Sequence, residues 1–381
     1  MAACTPPYLP TDPDAPLPDQ ARKGRGAVTN HTNRYEKEVR IATSDGWNDG
    51  SMPSGEDELP PLRTTLLKDA SRTIIARNPS PDVPFDRSIN PYRGCEHGCV
   101  YCFARPTHAW LGFSPGLDFE TRILFKPEAA KLLRKELSDP KYRCQMIAMG
   151  TNTDPYQPAE RQMQITRSII RTLADFKHPL GMVTKNHLIT RDIDILKEMA
   201  QDNLVECFLS VTTLDAELAR TMEPRASAPR RRLDAIEALA KAGVPVGVMT
   251  APMIPALNDH EMETILEEAH KRGARRAGYV YLRLPLEIKD LFREWLEAHV
   301  PDRAARVMSL VRQSRNGRDY DPEWGSRMTG EGPVAQLLSQ RFDRACRQLG
   351  LNVERFRIDT GKFRVPADAL AERNGGQLSL L

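Results

Sequence analysis

Apolar residues are sparse over the first sixty positions and then settle into a repeating order. Residues 1 to 60 are rich in Pro, Asp, Gly, Ser and Asn. Such a composition buries too little surface to offset chain entropy, so it predicts a largely disordered N-terminal arm. Tyr35, Ile41 and Trp47 interrupt it, and the stretch from Arg25 to Trp47 reads as a strap able to pack over a core. From about residue 80, short apolar runs alternate with segments of helical period. The strand candidates are Phe85–Arg93, Gln145–Met149, Gly181–Val183, Val205–Val211, Val244–Thr250 and Gly278–Leu284. Between them lie helix candidates at Glu128–Leu137, Arg161–Asp175, Arg191–Asp202, Arg230–Ala242 and Asp259–Lys271. Asn258 and Asp259 ahead of Glu261 and Glu263 mark a helix start. Gly243 marks a helix stop. Strands that alternate with helices predict an α/β fold, a parallel sheet with right-handed crossovers.

The last hundred residues change character. Pro285–Arg312 reads as one long amphipathic helix, 316–333 as a glycine-rich loop, and Val334–Leu349 as a second helix ended by Gly350. These are expected to cover the open side of the sheet. The organisation expected is an arm at 1–60, an α/β unit at 61–285, a helical accessory region at 286–370 and a flexible tail at 371–381.

Composition narrows the class. The chain has 381 residues, a formal net charge of +3 and an isoelectric point near 8.4. That mild basicity neither demands nucleic acid nor excludes it. No run of about twenty apolar residues occurs, so no transmembrane helix is expected. The start carries no apolar signal core, and a cytoplasmic location follows as the expectation. Seven cysteines, an odd count, argue against a disulfide framework. Cys4, Cys144, Cys207 and Cys346 are scattered singly and read as buried or plain thiols.

The other three sit together. Cys95, Cys99 and Cys102 have the spacing C-x3-C-x2-C. Three thiolates on one tight loop can hold three irons of a [4Fe–4S] cube, leaving one iron open for a small molecule. The bland reading is a structural zinc site completed by His97 or His108. No second C-x2-C or H-x3-H knuckle accompanies it.

This cysteine run resembles that of the radical S-adenosylmethionine (SAM) superfamily. The resemblance implies a partial (β/α)6 TIM-like barrel with its chemistry at the strand C-termini. It implies that the open iron takes the amino and carboxylate groups of SAM. It also implies that the reduced cluster cleaves SAM to a 5′-deoxyadenosyl radical, with an electron donor such as flavodoxin or ferredoxin. Tyr101, just before Cys102, is then expected to bring its backbone near the adenine. The strand ends are polar enough to serve such a ligand. Thr151, Asn152, Thr153 and Asp154 are candidates for the ammonium, Lys185 or Arg225 for the carboxylate, and Ser210 and Thr212 for the ribose or carboxylate. Taken singly, each is as easily loop solvation or a helix cap.

The runs 77–89, Thr107–Trp110 and Asp118–Thr121 look like those of the subgroup related to spore photoproduct lyase. That relation implies a lyase-like repair reaction on DNA. In spore photoproduct lyase a cysteine at the end of the second strand returns a hydrogen; here that place reads Met149-Gly150-Thr151, and Cys144 lies near the strand's start. Radical generation is therefore the implied property, rather than thymine-dimer repair. The rivals are a radical SAM enzyme acting on RNA or protein, and a non-catalytic zinc or DNA-binding scaffold.

The chain ends in Gln377, Leu378, Ser379, Leu380 and Leu381 behind a Gly-Gly linker. This peptide resembles those that dock on the DNA polymerase sliding clamp, with Leu381 where Phe is usual. The bland reading is a frayed terminus.

Overall fold

Residues 21–39, 62–353 and 356–373 are described by the computed structural model. Ten strands form two sheets: β1 (Thr65–Lys68), β2 (Ile75–Arg77), β3 (Arg87–Ile89), β4 (Tyr92–Arg93), β5 (Arg122–Phe125), β6 (Ile147–Met149), β7 (Leu180–Thr184), β8 (Val205–Ser210), β9 (Val246–Met253) and β10 (Arg276–Tyr281). The larger sheet runs β10-β9-β8-β7-β6-β3-β2. All of its neighbours are parallel except β2, which pairs antiparallel with β3. Six parallel strands with helical crossovers make the parallel sheet expected from the alternation, in the partial barrel that the resemblance implied. All six of its strands lie inside a predicted run or overrun its ends by at most three residues.

The first strand is shorter than its apolar run. Phe85–Arg93 divides into β3 in the barrel and β4 in a small sheet ordered β1-β5-β4. Pro91 lies between them, lacks an N–H and restricts Asn90 to extended backbone, so a single ladder cannot continue. The helix expected over Arg161–Asp175 is also two pieces, Glu160–Met163 and Ile165–Asp175, separated by Gln164 at φ 51°. The buried Glu160 explains the break: its carboxylate accepts from the Thr166 and Arg167 amides at 3.0 and 3.4 Å, starting a new helix. Pro285–Arg312 is likewise two helices, Ile288–His299 and Pro301–Gln313. Val300 at φ −143° precedes Pro301 and cannot stay helical.

The C-terminal region does not simply cap the open side. Its helix Gly332–Leu349 packs outside β10, with Phe342 4.8 Å from Tyr279. Beyond it the chain runs beneath the barrel, at the strand N-termini. Asn352 N donates to Arg275 O, Asp359 N to Asn203 O and Arg364 N to Phe176 O, each at 3.0 Å. Phe363 packs among Tyr142, Phe176 and His178. The open side is bridged instead by two loops. Asp82, between β2 and β3, accepts from Gly325 N at 2.7 Å and pairs with Arg327, both beyond β10.

Part of the N-terminal arm is packed. Residues 25–34 lie as a strap over the segment that follows the three cysteines; of the order signals, Tyr35 is exposed, and Ile41 and Trp47 lie outside the described residues. Positions 1–20 and 40–61, which hold the remainder of the expected arm, lie outside the described residues, as does the peptide Gln377–Leu381. Among the described residues no helix is long and apolar enough to cross a membrane.

Candidate active site

The three cysteines sit in the loop that leaves β4 at the C-terminal end of β3. Gly94 and Gly98, at φ 81° and 68°, turn the backbone tightly around them. Cys95 and Cys99 are buried, and Cys102 is partly buried. Burial raises the pKa of all three thiols, so three charged thiolates here call for a compensating cationic centre. Cys95 and Cys102 pack with Ala104 and Phe119, while Cys99 lies beside Tyr101 in the main core. A dry shell, three thiols and few competing ligands suit an iron–sulfur cluster. No three His, Cys, Asp or Glu side chains among the described residues converge on a single ion site. A cube needs no such convergence, because each cysteine binds a different iron.

The histidines of the zinc alternative are otherwise engaged. The His108 ring lies between Phe113 and Phe119, and its Nε2 faces Arg122 O at 2.9 Å. The His97 ring is buried between Asn186 at 3.1 Å and Asp154 at 3.4 Å.

A fully buried ion pair fixes the loop. Arg105 donates to Cys99 O at 2.9 Å, Gly98 O at 3.0 Å, Gly116 O at 3.0 Å and Glu120 Oε1 at 2.5 Å. Glu120 also accepts from Gly26 N at 3.0 Å and Ala27 N at 2.8 Å, which ties down the strap. The strap meets the loop backbone to backbone: a Cβ on Gly26 would lie 1.8 Å from Gly98 O. Gln157 adds a further tie, accepting from Glu96 N at 2.9 Å and donating to Gly94 O at 3.3 Å.

The polar strand ends divide into two groups. Lys185, Ser210 and Thr212 converge beside Tyr101. Lys185 Nζ donates to Ser210 Oγ at 2.6 Å and to Ala251 O at 3.2 Å, and lies 5.7 Å from the centre of the Tyr101 ring. Thr212 donates to Glu223 at 2.7 Å, and the Tyr101 hydroxyl also donates to Glu223. Lys185 Nζ is 3.6 Å from the same carboxylate, which pairs on its other side with Arg232. Burial alone would raise the Glu223 pKa, but the charges of Arg232 and Lys185 outweigh it and hold the carboxyl at about 2.

The other candidates stand apart from this group. Asp154 is partly buried and accepts from Thr184 Oγ1 at 2.6 Å, Lys185 N at 2.7 Å and Tyr156 N at 2.9 Å. These bonds hold the end of β6 to β7. Thr153 is buried, with its hydroxyl on Tyr92 O at 3.3 Å. Thr151 Oγ1 and Asn152 N both donate to Asn90 Oδ1, at 3.4 and 3.2 Å, so these two line the rim. Arg225 pairs with Glu96 of the cysteine loop at 3.3 Å, outside the Lys185 group. Tyr101 contributes its buried hydroxyl, where the sequence pointed only to its backbone.

Four residues escaped the sequence reading: Glu223, Arg232, Arg105 and Glu120. Arg232 had a legible signal. It occupies the apolar stripe of the helix Pro229–Lys241, in line with the buried Ile236 and Leu239. A charge on such a stripe needs a buried partner.

No cysteine can replace Gly150 at the end of β6. Its φ is 88°, and a Cβ there would lie 1.9 Å from Val183 O. Cys144 precedes β6 at the opposite end of the barrel, with its thiol pushed up to about 11 by burial.

Comparison with known proteins agrees with this geometry. The sequence model of the Radical SAM superfamily matches residues 89–269. Uncharacterized proteins of Mycobacterium bovis and Mycobacterium tuberculosis are 39% identical over 233 residues, 61% of this chain and 68% of theirs. An uncharacterized protein of Methanocaldococcus jannaschii is 27% identical over 214 residues, 56% of this chain and 76% of its own. Among solved structures, spore photoproduct lyase complexed with dinucleoside spore photoproduct superposes with a TM-score of 0.51 at 15% identity, over 75% of this chain and 80% of that one. A variant of that lyase with bound AdoMet and the same dinucleoside gives 0.50 at 14% identity, with the same coverage. At such identity the likeness shows the fold. Members of the superfamily use a [4Fe–4S] cluster with SAM. The cysteine loop, the six-stranded partial barrel and these matches together place the chain in the radical SAM superfamily, as an enzyme with a fold like that of spore photoproduct lyase.

Proposed function

We propose that this chain is a cytoplasmic [4Fe–4S] enzyme that acts on DNA in a repair-type reaction. One observation supports the reading above others: the Cys95–Cys102 loop and the Lys185–Ser210–Thr212 group face one another at the strand C-termini. Cys95, Cys99 and Cys102 would hold the cluster. Bound there, the cluster and SAM supply a 5′-deoxyadenosyl radical. Lys185 and Ser210 would take the SAM carboxylate by charge-assisted hydrogen bonds. Glu223 keeps Lys185 in place, and Arg232 keeps Glu223 ionised. Arg105, Glu120 and the strap hold the loop rigid and exclude water from it.

The DNA assignment draws on the likeness to spore photoproduct lyase. Because position 150 admits no side chain, any hydrogen return differs from that of the lyase. We further propose that Gln377–Leu381 dock on a sliding clamp, as their sequence pattern suggests, and that an acidic electron carrier of the flavodoxin or ferredoxin type reduces the cluster. The test is anaerobic incubation of the reduced enzyme with SAM and ultraviolet-damaged DNA. Methionine and 5′-deoxyadenosine should form, with hydrogen from the DNA carried into the deoxyadenosine. SAM cleavage accelerated equally by undeuterated and deuterated DNA, with no label transfer, would contradict the DNA assignment.

A further inference from the structure

Arg283 lies two residues beyond β10, at the barrel mouth that the cysteine loop also faces. Its guanidinium sits 4.9 Å from the centre of the Phe103 ring. Phe103 directly follows Cys102 and is 43% exposed. Among the described residues Arg283 has no carboxylate within ion-pair distance. Among those residues its one hydrogen-bonding contact is the Met328 sulfur at 3.3 Å, a weak acceptor, and its Nε is buried with no partner there. The nearby arginines have strong acceptors for their terminal nitrogens, although Arg315 Nε is also buried without a partner. Arg315 donates to the carbonyls of Leu282, Ser326 and Arg327, and Arg327 pairs with Asp82. A guanidinium left short of acceptors beside a reaction centre is unusual, because leaving donors unmade costs stability.

We infer that Phe103 and Arg283 form a substrate-holding site, in which an unstacked DNA base lies on the Phe103 ring and Arg283 takes the adjoining phosphate. The inference rests on the DNA reading and deepens it by naming the unit held and the residues that hold it. The ring offers an apolar face on which any base can stack, and the guanidinium offers free donors in a fork that matches phosphate. Trp324, 61% exposed, precedes Gly325 in the loop that bridges the open side. A strand laid across this mouth would present one nucleotide next to the residue following Cys102.

The experiment uses the full chain carrying its cluster, a fluorescent single-stranded oligo-dT and anisotropy over a range of salt. Arg283→Ala and Phe103→Ala should each weaken binding about tenfold, the effect of one lost stacking or phosphate contact. Arg283→Ala should also flatten the salt dependence by about 0.7 in log–log slope, the value for one phosphate of a single strand. Phe103→Ala should leave that slope unchanged, and both variants should keep the cluster absorbance of the wild type. Wild-type binding with unaltered affinity in both variants overturns this site and leaves the DNA reading standing. No binding of the oligonucleotide by wild type, or tighter binding of the same sequence as RNA, overturns both. Displacement of the oligonucleotide by thymidine monophosphate or inorganic phosphate at matched phosphate concentration overturns the polymer in favour of a free nucleotide.

Discussion

Lys185 Nζ donates to Ser210 Oγ at 2.6 Å. The contact joins the ends of β7 and β8 and points a charge toward the loop that carries the cysteines. It sets the two side chains next to each other, as the single SAM site proposed for them requires. Replacing Lys185 with Ala removes a charge-assisted donor worth about 1.5–3 kcal/mol, a loss of roughly ten- to a hundredfold in SAM affinity. Equilibrium dialysis of SAM against the cluster-loaded Lys185→Ala protein measures this. Unchanged affinity there and in Ser210→Ala would move the SAM site elsewhere.

Glu223 is the counter-charge for two cations, and its partner Arg232 is fully buried. Glu223→Gln leaves Arg232 and Lys185 without their anion, at a cost of about 3–5 kcal/mol. Urea unfolding should show that drop. Glu237→Gln, whose partner is a surface lysine, should leave the midpoint nearly unchanged. Similar losses in the two variants would remove Glu223 from its organising position.

Much of this was legible in the chain. The alternation of short apolar runs with helical segments revealed the six barrel strands, because a buried parallel strand must be apolar at nearly every position. Cys95, Cys99 and Cys102 were legible because cluster chemistry fixes their spacing locally. The small sheet β1-β5-β4 was not, since its strands are brief and half-exposed and draw partners from distant sequence. The bonds of Asp154 to Thr184 and Lys185 were hidden for a related reason. A carboxylate after a strand looks alike whether it faces a ligand or holds Thr184 and Lys185, and only the packing decides. Glu223 and Arg232 are nine residues apart, but their partners Tyr101 and Lys185 come from other elements, so no local pattern announces the network.

His108 and His178 set an acid limit. Burial pushes each ring down to about 4 from an ordinary 6.5. The unfolded chain therefore binds more protons between those values, so stability is full above pH 6.5 and falls as pH drops toward 4. At pH 5 the loss is about 2 kcal/mol for each ring. His178 Nδ1 faces Pro179 O at 3.0 Å and its Nε2 faces the Tyr142 hydroxyl at 2.8 Å, a pairing that suits the neutral ring. Urea midpoints at pH 7 and pH 5 should differ less in His178→Gln than in wild type. An equal difference would assign the acid loss to other groups.

Arg105 holds the cysteine loop through its carbonyls, so its loss should act on the cluster before the fold. Arg105→Ala leaves Glu120 buried without its cation and frees Gly98 O and Cys99 O. Iron content after anaerobic reconstitution should fall well below wild type, and the remaining cluster should bleach faster in air. Retention of wild-type iron content and bleaching rate would show that the loop is held by other means.

The central claim is that Cys95, Cys99 and Cys102 carry a [4Fe–4S] cluster with one iron left open for SAM. Mössbauer spectroscopy of protein reconstituted with iron-57 without oxygen tests it most directly. The account predicts about four irons per chain in a cubane spectrum, one of them changing its parameters when SAM is added, and loss of the spectrum when any one of the three cysteines becomes Ala. Stoichiometric zinc without iron, or a cluster that survives Cys99→Ala, would contradict it.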